Sequence, residues 1–102
     1  MMDEEEFDER ASLALGKLEL ALRDEAELEV DLAGGILTIE FEDGAKYIIN
    51  SHAAARQIWL SANFGASHFG WTGTDWRDTK SAVELFAEVG RLVTEKLAGQ
   101  GG

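Results

Sequence analysis

The sequence predicts an α+β fold, a two-layer sandwich in which two amphipathic helices pack on one face of a five- to six-stranded antiparallel sheet. Apolar residues recur at helical spacing near both ends of the chain, and they alternate at every second residue between. Short turn signals separate the alternating segments, and a parallel crossover would need a dozen residues or more. We expect residues 1–102 to form one domain, with residues 98–102 as a frayed tail.

The first helix is predicted over residues 3–23, and a capping box of Ser81 and Glu84 predicts the start of the last helix. The first helix has an apolar stripe at Phe7, Ala11, Ala14, Leu15, Leu18 and Leu22. The last has one at Ala82, Leu85, Phe86, Val89, Leu92, Val93 and Leu97. Core or core-rim positions are also predicted for Tyr47, Trp71, Trp76 and Phe86.

Between the helices, the alternation of apolar and polar residues predicts up to six short strands, so the element order is α-β-β-β-β-β-β-α. They fall near residues 27–32, 36–42, 46–51, 57–62, 68–71 and 75–78. The pairs Gly34-Gly35 and Asp43-Gly44 are hairpin turn signals, and residues 52–56 are expected to form a loop. Because both helices cover one sheet face, the other face is expected to meet water.

The acidic charge of the chain is concentrated at its start. The formal net charge is -11, and residues 1–31 contribute -9 of it through twelve carboxylates against three bases. A pI near 4.4 argues against nucleic-acid binding, which needs a basic surface, and favours metal cations or a basic protein as partner. No cysteine is present, so thiolate-held zinc or iron–sulfur clusters are excluded.

A long apolar run and a basic, then apolar, N-terminus are both missing from the sequence, which begins MMDEEEFDER. We therefore expect no membrane span and no signal peptide, and a cytoplasmic location. Neither a serine nucleophile elbow nor a phosphate-binding loop motif occurs. A site with His52, His68 and one carboxylate for iron is a minor alternative, and both histidines are otherwise interpreted as surface residues.

Glu27, Glu29 and Asp31 alternate with apolar residues, which places them on one face of the first strand. One interpretation is an edge strand protected by charge against edge-to-edge pairing. The other is a row of oxygen ligands for hard cations such as Fe²⁺ or Fe³⁺. Neighbouring acids along a strand lie about 6.6–7 Å apart. Any metal site would therefore be shallow, rich in water and weak. A charge-protected edge strand and a row of metal ligands are compatible interpretations of the same residues.

Trp59 is predicted on the water-facing side of its strand with Gln57, opposite Ile58 and Leu60. It could be a lid over neighbouring side chains or an anchor for a partner, since Trp is enriched at binding hot spots. By the same alternation, Asn50 and His68 fall on this face. The four residues predict a polar–aromatic patch.

Two segments carry a family resemblance. Residues 34–61, GGILTIEFEDGAKYIINSHAAARQIWLS, and residues 68–76, HFGWTGTDW, resemble the frataxin family and its bacterial members in particular. The acidic first helix and first strand also occur where that family has them, so that the resemblance spans roughly residues 5–95. The departures are local. Residues 52–55 and 63–64 stand where many relatives have Pro or basic residues, and a short link before the first strand displaces Asp24 and Glu25.

The resemblance implies a small iron-binding accessory protein of iron–sulfur cluster assembly, and we expect this protein to be non-enzymatic. It would dock on the complex of cysteine desulfurase and scaffold protein, and modulate sulfur delivery. The contacts to weakly held surface Fe²⁺ or Fe³⁺ would be an acidic ridge of Glu6, Asp8, Glu19, Asp24, Glu27, Glu29 and Asp31. The partner-binding residues would be Asn50, Gln57, Trp59 and His68.

Two other functions stay open at this point: a ferroxidase-like or iron-delivery protein, and an acidic interaction module without a metal. A monomer is expected, with an iron-dependent oligomer as the alternative. No cluster held by the chain itself, no nucleic acid and no membrane are expected.

Overall fold

Two helices lie on one face of a six-stranded sheet in the computed structural model, which describes residues 2–101. The helices are α1 (Glu4–Leu22) and α2 (Leu85–Gly101), with a short 3-10 helix at Ala53–Ala55. The strands are β1 (Leu28–Ala33), β2 (Ile36–Phe41), β3 (Lys46–His52), β4 (Gln57–Ala62), β5 (Gly65–Trp71) and β6 (Trp76–Asp78). They pair antiparallel in the order β1-β2-β3-β4-β5-β6. The predicted fold class is confirmed.

Helix α1 begins where the side chain of Asp3 accepts a hydrogen bond from the N–H of Glu6 at 2.8 Å. Such a cap satisfies one of the N–H groups that a helix start leaves unpaired. The predicted apolar stripe is the buried face of this helix. The polar residues between its members face water, so the helical spacing alone identified the packing face.

The hairpin turns set the register of the sheet. Gly34 and Gly35 have φ values of +59° and +78°, which L side chains rarely adopt, and they join β1 to β2. The turn at residues 63–64 lets β5 begin at Gly65, three residues before the predicted start, because pairing with β4 continues up to the turn. Strand β3 likewise extends to His52, one residue beyond the prediction.

The core lies between the helices and the apolar face of the sheet. Phe7 of α1 packs edge-to-face on Trp76, with ring centroids 5.8 Å apart. Tyr47 and Trp76 are buried, and Trp71 is half-buried at the rim of the core beneath the guanidinium of Arg10, all as predicted.

The start of α2 differs from the prediction. Asp78 accepts hydrogen bonds from the N–H groups of Lys80 and Ser81, and this turn keeps residues 78–82 out of the helix. Ala82 has a φ of +65°, so it is not helical. The helix begins at Leu85, and Glu84 caps it through both carboxylate oxygens, which accept from the N–H groups of residues 86 and 87.

Phe86 is a second difference, because it is 36% exposed rather than at the core rim. Leu85 and Val89 face the sheet, and the residue after Leu85 turns away from it by about 100° around the helix axis. Near the other end of α2, Lys96 Nζ lies 2.6 Å from Asp43 Oδ2 and ties the helix to the β2–β3 turn. The single-domain boundaries and the fraying of residues 98–102 stay predictions.

Candidate functional site

The open face of the sheet carries both groups of side chains that the sequence singled out on strands. Helices cover the opposite face, so residues that alternate with the core positions are left accessible. On β1 these are Glu29 and Asp31, and both are exposed. Glu27 lies one residue before β1 and is also exposed.

The first hairpin brings further carboxylates to the strand acids. Glu29 pairs directly with Glu40 of β2, and Asp31 pairs with Thr38. A depression of about 290 Å³ at this end of the hairpin is lined by four glutamates, Glu27, Glu29, Glu40 and Glu42. Glu40 and Glu42 were not among the predicted site residues. The sequence does predict that Glu40 meets Glu29, because a two-residue turn at Gly34-Gly35 places residues 29 and 40 opposite each other.

The helix acids of the ridge lie in the other layer or in the link to β1. Glu6 is paired with Arg10 at 2.9 Å, within one helix face. Asp8 is exposed and Glu19 is half-buried, both on α1, and Asp24 is exposed in the link from α1 to β1. Among residues 2–101, no three histidine or acidic side chains are grouped closely enough to hold one metal ion. The iron contacts assigned to the ridge stay predictions.

The polar–aromatic patch forms a continuous cross-strand row. Asn50 pairs with Trp59, and Trp59 pairs with His68, across β3, β4 and β5. Gln57 is two residues from Trp59 on the same face, and its Oε1 accepts a hydrogen bond from Trp59 Nε1 at 2.9 Å. Their role in partner binding stays a prediction, but the fold places all four side chains on one surface.

His52 belongs to this patch, which the sequence analysis did not propose. It is the last residue of β3, two residues after Asn50, so its ring points to the open face. The ring stacks on Trp59, with centroids 3.9 Å apart and planes 9° apart. A predicted β3 that ended one residue later would have placed His52 on this face. A site in which His52 and His68 share one iron is not formed, because the indole lies between the two imidazoles.

Apolar side chains link the acidic and aromatic parts of the face. Ile36 pairs with Asn50, and Ile48 pairs with Thr38. The two isoleucines therefore lie between the acids of the β1–β2 hairpin and Trp59. They are 46% and 38% exposed. Adjacent exposed apolar residues rimmed by polar groups are typical of a protein-binding surface.

The fold and this face together define a class of protein, the frataxin-like α+β sandwich. The family model for the frataxin-like domain matches residues 1–99, and the chain belongs to this family, which confirms the resemblance of the sequence. The chain is 41% identical over 97 residues to the iron-sulfur cluster assembly protein CyaY of Dechloromonas aromatica, covering 93% of this chain and 92% of that protein. It is 38% identical over 96 residues to the protein of the same name from Paraburkholderia xenovorans, covering 93% and 91%.

Solved structures show the same fold. A frataxin from Psychromonas ingrahamii, described as a model for stability modulation in the CyaY family, matches with a TM-score of 0.87 and 27% identity over 93% of this chain and 91% of that one. A trimeric yeast frataxin complexed with ferrous iron matches with a TM-score of 0.68, covering 93% and 86% of the two chains. It is 23% identical, so this similarity concerns the fold alone. Neither of the two α-helices described combines the length and apolar character of a bilayer span.

Proposed function

We propose that this protein is a non-enzymatic, iron-binding regulator of iron–sulfur cluster assembly, and that it docks on the cysteine desulfurase–scaffold complex. The observation that carries the proposal is one continuous surface. It holds, in order across the sheet, the acids of the first hairpin (Glu29, Asp31 and Glu40), Ile36 and Ile48, and the row of Asn50, Trp59 and His68. The CyaY proteins that resemble it at 41% and 38% identity are named for cluster assembly.

The two parts of the face contribute differently to docking. Carboxylates attract a basic partner surface over a distance, and they raise the association rate more than the final affinity. Trp59, Ile36 and Ile48 supply short-range contact, since aromatic anchors carry much of the binding energy at protein interfaces. Together they favour a partner surface with basic groups beside an apolar recess.

Weak iron binding is supported by the pairing of Glu29 with Glu40. Directly opposed residues of an antiparallel pair have Cβ atoms about 4.5–5.5 Å apart, closer than neighbours along one strand. Two such carboxylates can share one hydrated ferrous ion, with water completing the coordination. Iron is then a loosely held cargo at the edge of the docking face.

A desulfurase assay tests this function directly. Adding the protein should change the rate of the desulfurase–scaffold complex, and iron should change the size of that effect. Reversing the charge of Glu27, Glu29 and Asp31 to lysine should weaken binding far more at low salt than at high salt. The same reversal at Glu4, Glu5 and Glu9 is the control with equal net charge. Equal loss at both salt concentrations would contradict electrostatic docking.

A further inference from the structure

The only two histidines of the chain flank the indole of Trp59. His52 lies on it at 3.9 Å with planes 9° apart, and His68 at 4.4 Å with planes 19° apart. They come from β3 and β5, on either side of β4, so they cover opposite faces of the indole. These distances are close to the spacing of adjacent strands, about 4.8 Å. The three rings therefore stand upright side by side, and Trp59 presents an edge to a partner.

Hydrogen bonds fix two of the three rings. Trp59 Nε1 donates to Gln57, which holds the indole along its own strand. The N–H of Ala55 donates to His52 Nδ1 at 3.3 Å, so the neutral imidazole carries its proton on Nε2. Uptake of a second proton occupies Nδ1 and removes this acceptor, which couples the charge of His52 to the short 3-10 helix at residues 53–55. We call the stack of His52, Trp59 and His68 the ring clamp.

The charges that face the ring clamp are sparse on its own strands. Strand β4 contributes no charged side chain to the open face, and β5 contributes only His68. The charged groups of the surrounding elements are Glu6 of α1, Glu29 and Asp31 of β1, Glu40 of β2, Lys46 of β3, Arg56 of the following turn and Arg77 of β6. Protonation of the imidazoles would thus add positive charge to a part of the face that is close to neutral.

We propose that His52 and His68 form a proton-dependent clamp on Trp59, which becomes positive when the imidazoles take up protons and thereby weakens docking of this face. Imidazole changes its charge between pH 5 and 8, and an imidazolium on the face of an indole gains a cation–π attraction that the neutral ring lacks. Added positive charge also opposes a basic partner surface. The inference rests on the proposed function, in which this face binds such a surface.

A titration of the free protein tests the clamp without a partner. The indole N–H resonance of Trp59, assigned with Trp59→Phe, is followed by NMR from pH 5.5 to 8.0. We expect a sigmoidal shift in the wild type and almost none in the double variant His52→Gln/His68→Gln, which contains no imidazole. The indoles of Trp71 and Trp76 report whether each variant is folded. A flat titration of Trp59 in the wild type would overturn the clamp, whether or not the protein binds a partner.

A binding measurement tests the consequence for docking. The dissociation constant for the desulfurase–scaffold complex is measured at pH 6.0 and 8.0 with the wild type and the double variant. Comparing the ratio of the two constants between the proteins cancels the titration of the partner itself. We expect the dissociation constant at pH 6.0, divided by that at pH 8.0, to be about three- to tenfold larger for the wild type than for the double variant. Equal ratios would overturn the regulation of docking. Failure of the wild type to bind at either pH would overturn the proposed function, while the NMR result still decides the clamp.

Discussion

Glu29 on β1 and Glu40 on β2 lie directly opposite each other, so two carboxylates occupy one cross-strand position on the open face of the sheet. Lys46 of β3 opposes Glu40 from the other side and offsets only part of this charge. Strand β1 is the edge of the sheet, where acidic side chains also discourage pairing with another chain. The carboxylate pair therefore opposes folding through charge repulsion. It also discourages β1 from pairing with another chain, and it attracts cations.

Neutralising one member of the pair should stabilise the fold. We expect Glu29→Gln to raise the free energy of unfolding by about 0.2–1 kcal/mol, because like charges directly opposite in a sheet repel. Urea unfolding at low and high salt measures this, and the gain should shrink as salt screens the repulsion. Asp31→Asn is the matched control, since Asp31 faces Thr38. A loss of stability in Glu29→Gln alone would show that the carboxylate makes a favourable contact.

Ferrous iron should bind first at the paired carboxylates. In an anaerobic Fe²⁺ titration followed by NMR, we expect the amide signals of residues 29 and 40 to broaden before those of α1. Glu40→Gln should weaken binding severalfold, because a single carboxylate with water is a poorer site than two. Glu5→Gln removes the same charge from the start of α1 and should have little effect. Equal weakening by both variants would mean that iron responds to net charge and not to this pair.

Truncation of Trp59 should mainly impair binding, and truncation of Trp76 should mainly impair stability. Trp59→Ala should lower stability by only about 1 kcal/mol, the order of an aromatic pair contact, and should impair binding to the assembly complex. Trp76 is 2% exposed and packs on Phe7, so Trp76→Ala should cost about 3–5 kcal/mol. Thermal unfolding combined with a pull-down separates the two effects. A Trp59→Ala protein that melts as early as Trp76→Ala would make Trp59 a structural residue.

The contact between Asp43 and Lys96 predicts a loss of stability in acid. The hydrogen bond from Lys96, followed by one from the N–H of Ala45, lowers the pKa of Asp43 below its ordinary value. A carboxyl whose pKa is lower in the folded state stabilises the fold above its unfolded pKa of about 3.9, and this contribution is lost as the pH falls through the folded value.

We therefore expect Asp43→Asn to be less stable than the wild type at pH 7, and the difference to diminish below about pH 4. Urea midpoints measured from pH 7 to 2.5 give this comparison. Lys96→Met removes the other partner and should reproduce the pattern. A difference that stays constant with pH would show that Asp43 acts through its turn geometry alone.

The cap of α2 can be located by two substitutions. Glu84→Ala should cost about 1 kcal/mol, because the Glu84 carboxylate accepts two N–H groups of the first turn. Ser81→Ala should cost less, since Ser81 accepts only from the N–H of Val83, before the helix begins. Urea unfolding at neutral pH measures both variants. A larger loss for Ser81→Ala would favour the capping box that the sequence predicted.

The elements with regular apolar spacing could be predicted closely. For α1, the residues of the predicted stripe are those the fold buries, because a helix with one apolar stripe has only one way to remove it from water. The first hairpin was equally predictable, since Gly34 and Gly35 adopt left-handed φ values that favour a two-residue turn. The start of α2 was not, because the side chain of Asp78 forms a competing turn that delays the helix by several residues.

The order of residues along the chain was enough to predict the acid-rich first third, the two-layer architecture and the water-facing position of Trp59. These follow from composition and from the periods of helices and strands, which act over a few residues. The turn at Gly34-Gly35 also predicts that Glu29 meets Glu40, whereas the enclosure of the indole by His52 and His68 became apparent only in the folded chain. Side chains distant in sequence meet through the register between strands and through the residues at which strands end. Both are set by pairing across the whole sheet and not by a few neighbouring residues.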